Sequence, residues 1–336
     1  MKKFKLCLLL SAAFIVLCSA AWVKITLVKP ALVPLPVEIQ TLAIIDRTLQ
    51  DKTKGAQIEK VLTVEAFKQD EMAVREVIAG ITDRCGEYGK FAFITTNEKF
   101  VSNYTKTTFP SLLSWDEVET LCKKHGADAL LSIELFDSDF LLTPGISGGI
   151  NTPVKVRANG IAVINLGIRI YFPASRTVID EFKINHRIDM ATYTGNAYGA
   201  VSTLLDKTDA INRTSYESGR MYGERISPSY YTVTREFFNK PKKNQNLRAG
   251  VRKSEVADWH GAIESWTKAL DDKKKKVRRR AAFNIAVGYE VLGDLEMAKT
   301  WASKAYTEYG EKEAKYYYDK LVYRIKEEAV LIRQGE

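Results

Sequence analysis

The chain has 336 residues, 46% of them hydrophobic and 27% charged, with a formal net charge of +9. This composition excludes a disordered or collagen-like chain and supplies apolar material for two domains. Three of the positive charges, Lys2, Lys3 and Lys5, fall at the very start. Pro241 to Glu336 carries 21 Lys and Arg against 15 Asp and Glu, a mild bias suited to acidic partners or anionic headgroups and commonest on a plain solvated surface.

The first element is an export segment. After the lysines, Leu6 to Leu17 is apolar apart from Ser11, and small residues follow at Ser19-Ala20-Ala21. The run is too short to span a bilayer as a helix, and the order of charge, apolar centre and small residues predicts a signal peptide over 1–21. The alternative is a permanent N-terminal anchor. Cys18 resembles the lipidated cysteine of bacterial lipoproteins, although Leu17 stands where those carry a small residue. An exported chain meets an oxidising compartment, so Cys85 and Cys122 are either a disulfide or two buried thiols.

The body is expected over 22–240. Pro30 to Pro36 reads as an extended linker or edge. Thr41 to Asp46 is a strand, and Arg47 to Gly55 a polar loop. Val74, Val77, Ile78, Ile81 and Cys85 recur at helical spacing, with Gly86 and Gly89 as a stop. Phe91 to Thr95 is a second strand. Ser114 and Glu117 form a capping box for a helix that His125-Gly126 ends. Ala129 to Phe136 is a third strand. Beyond it the spacing predicts a meander of antiparallel strands over Val154–Ala158, Ile161–Phe172 and Thr177–Ile188. Turns are expected at Asn159-Gly160 and Pro173-Ala174-Ser175. A helix is expected over Ala197–Tyr222, and Tyr230, Tyr231, Phe237 and Phe238 read as packing residues. This order of crossover units, meander and helix resembles the amino-terminal domain of TolB and the curli-secretion lipoproteins of the bacterial envelope. The resemblance is of element order over about half the chain, and it transfers no residue.

The carboxyl-terminal third, 241–336, repeats itself. Trp259 to Leu270 and Leu295 to Tyr306 align so that Ala262 and Ala298, and likewise Ala269 and Ala305, stand 36 residues apart. Small residues at those positions let paired helices approach. Gly293 ends a helix, and Tyr289 fills the gap between helices. The spacing from Tyr289 to Gly293 to Ala298 is similar to the tetratricopeptide repeat, whose period is about 34. Departures from that family are Ala282, Ala286 and Gly310, where it carries Trp, Gly and Pro. The first repeat has a poorly defined leading helix between Leu247 and Ala257. A terminal helix over Glu311–Ile332 carries Tyr316, Tyr317, Tyr318 and Tyr323 as a packing surface. The resemblance implies a protein-docking array.

The expected fold is α+β: an N-terminal mixed α/β sheet domain followed by an all-α tetratricopeptide-like array. No catalytic set emerges. Gly145-Ile146-Ser147-Gly148-Gly149 matches a nucleophile elbow in letters, but Pro144 before it and Asn151-Thr152-Pro153 after it predict a surface loop. Asp137-Ser138-Asp139 reads as an acidic turn. His125, His186 and His260 have no metal-ligand spacing. Seven of the eight residues Lys273–Arg280 are basic and read as a solvated face between repeats, or a contact for an anionic partner or headgroup. The reading is an exported envelope scaffold or adaptor, in the periplasm or at the outer membrane, that binds a protein partner through its repeats. It is not an enzyme, takes no cofactor and binds no nucleic acid. Membrane attachment would run through Cys18 or the N-terminal anchor. The alternatives are a subunit of an outer-membrane assembly or secretion apparatus, and an envelope hydrolase.

Overall fold

The computed structural model describes residues 20–48, 60–100, 108–147, 155–194, 207–240 and 243–335. The residues up to 19, where the export segment is expected, with Cys7 and Cys18, lie outside them, as do Gly148, Gly149 and residues 195–206. The described chain is a mixed sheet with helices, followed by a helical region of several helices. It divides into two compact units, Ala31–Ser229 and the combination of Tyr230–Glu336 with the segment ending at Pro30.

In the sheet unit the strands are β2 (Thr41–Asp46), β3 (Ala92–Lys99), β4 (Ala129–Ser147), β5 (Lys155–Phe172) and β6 (Thr177–Thr194), and the helices are α1 (Lys60–Gly86), α2 (Trp115–His125) and α3 (Lys207–Ile226). The spatial order is β3-β2-β4-β5-β6, with β2 parallel to both neighbours and the remaining pairs antiparallel. Leu42, Ile44, Leu131 and Ile133 pack with Val77 and Ile81 of α1 and Tyr222 of α3. Ala43, Ile45 and Leu130 pack on the opposite face with Val118 and Leu121 of α2. Continuous burial of Leu42–Ile45 follows from this coverage on both faces. Cys85 and Cys122 are free thiols in these two separate cores, so the sheet keeps them apart. Burial pushes the Cys85 thiol up to about 12 and the Cys122 thiol up to about 11.

The α2 cap follows its sequence. Ser114 and Glu117 cap it reciprocally, and Gly126 closes it at φ 63°. Helices α1 and α3 approach until backbone meets backbone: a Cβ on Gly80 would lie 2.1 Å from Tyr216 O, and one on Gly219 2.1 Å from Val77 O.

Several expected boundaries move. β4 runs on to Ser147, so Asp137-Ser138-Asp139 is strand rather than turn, and so is the backbone of Gly145-Ile146-Ser147. Beyond Ile133, β4 has β5 on one side and no longer pairs with β2, so Pro144 there removes no bond of that second ladder. Asn159-Gly160 is the middle of β5, paired with Thr143 and Leu142 on one side and Ala191 and Met190 on the other. The turn at Pro173–Ser175 is present as a short 3-10 segment. The helix expected from Ala197 to Tyr222 is described over Lys207–Ile226.

In the helical unit, β1 (Ala20–Lys29) pairs with β7 (Ser229–Phe238). Neither strand was expected. Ala20 and Ala21 also fit the end of an export segment, and the aromatics of β7 read from sequence as packing alone. β7 lies almost wholly in the unit that starts at Tyr230. The helices are α4 (Gln245–Glu255), α5 (Trp259–Lys268), α6 (Lys275–Val291), α7 (Leu295–Thr307) and α8 (Glu313–Arg333). The leading helix of the first repeat is fully formed, because Asn244 caps it by accepting from Leu247 N at 2.7 Å. Trp266, fully buried, packs edge-on against Phe237 and donates Nε1–H to Leu247 O.

Candidate functional site

A buried polar cluster of the sheet unit sits beside a bulge. Glu134 and Leu135 both lie opposite Gly167, between the pairs Ile133–Ile168 and Phe136–Leu166. Glu134 faces α2 by alternation with Leu130 and Ser132, at the carboxyl end of β2; the extra residue brings Leu135 onto that same face and returns Phe136 to the α1 side. A Cβ on Gly167 would strike Leu135 at 2.9 Å, so the bulge needs glycine opposite it. Glu134 is fully buried and accepts both bonds from Arg47 Nη1, at 3.0 and 2.7 Å, and one from Tyr171 Oη at 2.8 Å. Arg169 Nε donates to Glu181 at 2.6 Å, and its guanidinium stacks over Phe109. Arg47 and Arg169 also hold the carbonyls of Ser111 and Pro110, closing that segment over the cluster. Burial, then the Glu134 charge, pushes the Tyr171 hydroxyl up to about 12, so it stays protonated and donates.

The helices leaving β2 and β3 take opposite faces, so the crossover direction reverses at β2. In such sheets the crevice at the carboxyl ends is the usual ligand position. Residues 49–59 and 101–107, which follow those ends, lie outside the described residues. Further along the same face is an open cavity of about 290 Å³ lined by Leu135, Asp137, Asn165, Lys183 and Asn185. Its lining donates and accepts hydrogen bonds, and among its side chains there is no nucleophile beside a base.

The histidines are separate. His125 Nε2 meets Glu98 at 3.0 Å, His186 Nδ1 meets Ser218 Oγ at 3.0 Å, and His260 is exposed. Ser218 itself donates to Thr214 O, so it receives from His186 rather than being activated by it. Among the described residues no group of three His, Cys, Asp or Glu could hold a metal ion. No described helix is long and apolar enough to cross a membrane.

In the helical unit the residues singled out for packing recur at matched positions. Ala262, Ala269, Ala298 and Ala305 are fully buried at the helix contacts. Tyr289 is half-buried against the same core. The correspondence extends to the backbone at the same 36-residue offset. Asp258 and Asp294 both cap, accepting at 2.9 Å from Gly261 N and Met297 N. Asp258 N bonds Lys253 O and Asp294 N bonds Tyr289 O, at 2.9 and 3.0 Å. Ala257 and Gly293 both take positive φ, 61° and 83°. The spacing of small residues pointed to the hairpins. The shared left-handed position did not show, because alanine occupies it in the first copy.

A second buried charge cluster ties this unit together. Glu290 of α6, fully buried, accepts from Arg235 of β7 at 2.8 and 3.0 Å, from Arg324 of α8 at 2.5 Å and from Tyr317. Burial alone would raise the Glu290 carboxyl, but these donors outweigh it and hold it below the usual carboxylate range. The tyrosines of α8 divide rather than forming one packing surface. Tyr317 is buried, while Tyr316 and Tyr323 are 68% and 63% exposed. The basic run also divides. Arg278 holds the carbonyls of Asp272 and Lys273, Arg279 pairs with Glu311, and Arg280 holds Lys240 O while stacking over Phe238. Lys273, Lys274, Lys275 and Lys276 are exposed.

Comparison with known proteins yields family models and distant structures. A model described as a domain of unknown function, DUF8603, matches residues 39–238, and a second so described, DUF6340, matches residues 248–326. No curated protein matches. A neuraminyllactose-binding hemagglutinin homolog from Helicobacter pylori aligns at 11% identity and TM-score 0.26, covering 57% of this chain and 86% of its own. The hypothetical protein CT253 from Chlamydia trachomatis aligns at 12% and 0.23, covering 55% and 96%. A PelC dodecamer from Paraburkholderia phytofirmans aligns at 10% and 0.18, covering 58% and 96%. At these scores the likenesses assign no activity.

Proposed function

The chain belongs to the DUF8603 family of unknown function, and from its own geometry we propose an exported bacterial envelope protein that docks a protein partner through its carboxyl-terminal helical hairpins. The observation that carries this reading is the repetition at 36 residues of cap, left-handed residue, backbone bond and buried alanine. Stacked hairpins of this kind present an extended surface for a partner, and the tetratricopeptide-like identity of the array is part of the proposal. A terminal helix in such an array ordinarily turns a polar face outward. Here α8 exposes Tyr316 and Tyr323, seven residues apart on one side, and tyrosine is a favoured anchor in protein interfaces. A binding role rather than catalysis is supported by the buried charges of both units, Glu134 and Glu290, which are engaged with their own arginines and tyrosines.

Export rests on the first 21 residues, with Cys18 as the lipidation candidate. The mass of the N-terminus purified from an envelope fraction tests it: a start at Trp22 or an acylated Cys18 is expected, and an intact Met1 in the soluble cell fraction would refute it. For docking, a photo-crosslinking residue replaces Tyr316 or Tyr323 in the full chain inside its native cells. A discrete adduct from both positions, absent when the same residue replaces exposed Arg176 on the sheet unit, is expected. Equal labelling from all three would remove the helical array as the docking element.

A further inference from the structure

We propose that the end of the helical unit where β1 begins is a membrane-facing surface that rests on anionic lipid headgroups. The proposal rests on the form of the export reading in which the N-terminal segment is kept, through an acylated Cys18 or as an anchor, and adds a second contact to it. Ala20 marks where the first nineteen residues join the described structure, and its carbonyl accepts from Asn239 Nδ2 at 3.4 Å. The next residue, Lys240, gives its carbonyl to Arg280 Nη1 at 2.9 Å. Arg280 lies on α6, and Lys276 stands one helical turn earlier on the same side of that helix. The described structure therefore begins, at Ala20, beside the first turns of α6, where the basic run sits.

Two further observations concern the same end. The lysines of that run are not used by the fold: among the described residues none of the Lys273–Lys276 ammonium groups is in an ion pair, whereas Arg278, Arg279 and Arg280 all bind within the unit. Asp271 and Asp272 are the acids immediately beside them. Asp272 keeps its charge while accepting from Lys274 N and Asn244, so four lysines stand against two carboxylates and the local charge stays positive. Trp22 is the second. β1 alternates so that Ala21 and Val23 pack on the helical core while Trp22 and Lys24 point outward, and Trp22 is 65% exposed. An exposed tryptophan five residues after an apolar run and two before Lys24 is a composition that settles at the headgroup level of a bilayer. One membrane attachment by a short apolar or singly acylated segment is marginal, and a polybasic patch is the kind of second signal that makes it stable.

The test uses the full chain with vesicles of phosphatidylcholine, with and without a quarter of phosphatidylglycerol, at low and high salt. Binding to neutral vesicles reports the N-terminal segment. The additional binding on anionic vesicles reports the patch. Each lysine at such a surface is worth about fivefold in partitioning at low salt. Replacing all four by glutamine should therefore remove roughly tenfold or more of the anionic increment, leave neutral-vesicle binding unchanged and leave the circular dichroism intact. Trp22→Phe should abolish part of the fluorescence quenching by brominated lipid. An anionic increment that survives the four substitutions, or its absence from the original chain, overturns the proposal while leaving the export reading in place. Loss of neutral-vesicle binding together with an unprocessed Met1 counts against the export reading alone. Binding of an acidic protein to the four lysines with no lipid increment also overturns the proposal.

Discussion

The two units solve the same packing problem with different small residues. In the sheet unit, α1 and α3 meet through Gly80 and Gly219, so closely that no side chain fits between their backbones. In the helical unit the contacts are made by Ala262, Ala298, Ala302 and Ala305, where one methyl is the spacer. Each unit has a glutamate whose side chain is fully buried among arginines and a tyrosine. Glu134 ties β2, β4 and β5 at a bulge, while Glu290 ties β7, α6 and α8. The difference teaches where stability is concentrated: in one helix crossing plus a bulge in the sheet unit, and in a distributed array closed by one charged knot in the helical unit.

The largest expected effect tests that knot. Glu290→Ala leaves Arg235 and Arg324 without their acceptor, and removing one partner of a buried pair costs about 3–5 kcal/mol. The two units carry separate reporters. Trp22, Trp259, Trp266 and Trp301 lie in the helical unit, whereas Cys85, Cys122 and Trp115 lie in the sheet unit, so fluorescence is read in a Trp115→Phe background. Glu290→Ala should lower the urea midpoint read by tryptophan fluorescence while thiol protection at Cys85 and Cys122 persists. Glu134→Ala should do the reverse at similar magnitude. If either variant moves both reporters together, the units do not unfold separately and the comparison fails.

Next come the glycine contacts. Gly80→Ala or Gly219→Ala places a Cβ about 2 Å from a backbone oxygen, so one helix must shift, costing roughly 1–3 kcal/mol or more. The matching change in the helical unit, Ala298→Gly, only loses a methyl and adds backbone freedom, about 1 kcal/mol. Denaturant midpoints of the two variants measure the contrast, and equal losses would mean that the crossing in the sheet unit can relax.

These contacts explain what the sequence disclosed. The α2 cap was legible because Ser114 and Glu117 act within one turn. The hairpins were legible because Ala262, Ala269, Ala298 and Ala305 repeat at a fixed interval. The sheet was less so, because a strand's end is set by partners far away. Asn159-Gly160 has turn chemistry, yet both residues stay extended between β4 and β6. Pro144 stops neither strand, since it faces no second neighbour. Glu134 gave no signal, because it sits in an apolar run and its partners Arg47 and Tyr171 are 87 and 37 residues away. β1 was hidden because its first residues also fit the end of an export segment. Gly80 and Gly219 lie 139 residues apart, and neither alone announces a crossing.

Acid should act more gently than substitution, and on the helical unit first. The Glu290 carboxyl is held below its ordinary range in the folded chain. Its contribution is therefore present above the unfolded carboxylate range and is lost as pH falls through the depressed folded value. Glu311 acts in the opposite sense: burial raises its carboxyl, so its penalty is relieved as pH falls. Glu290→Gln should flatten the acid limb of the fluorescence-detected stability curve, and Glu311→Gln should steepen it. An unchanged curve in both variants would show that neither carboxyl governs the acid response.

The smallest effect concerns the repeat itself. Ala257 and Gly293 occupy corresponding left-handed positions at φ 61° and 83°, one with a side chain and one without. A residue with a Cβ costs about 1 kcal/mol in that region relative to glycine. Ala257→Gly should therefore stabilise the helical unit despite the entropy glycine adds to the unfolded chain, and Gly293→Ala should destabilise it by about the same amount. Opposite signs from two substitutions 36 residues apart are what equivalent turns require. If Ala257→Gly weakened the unit as Gly293→Ala does, the first hairpin would close by other means, and the equivalence would be one of spacing alone.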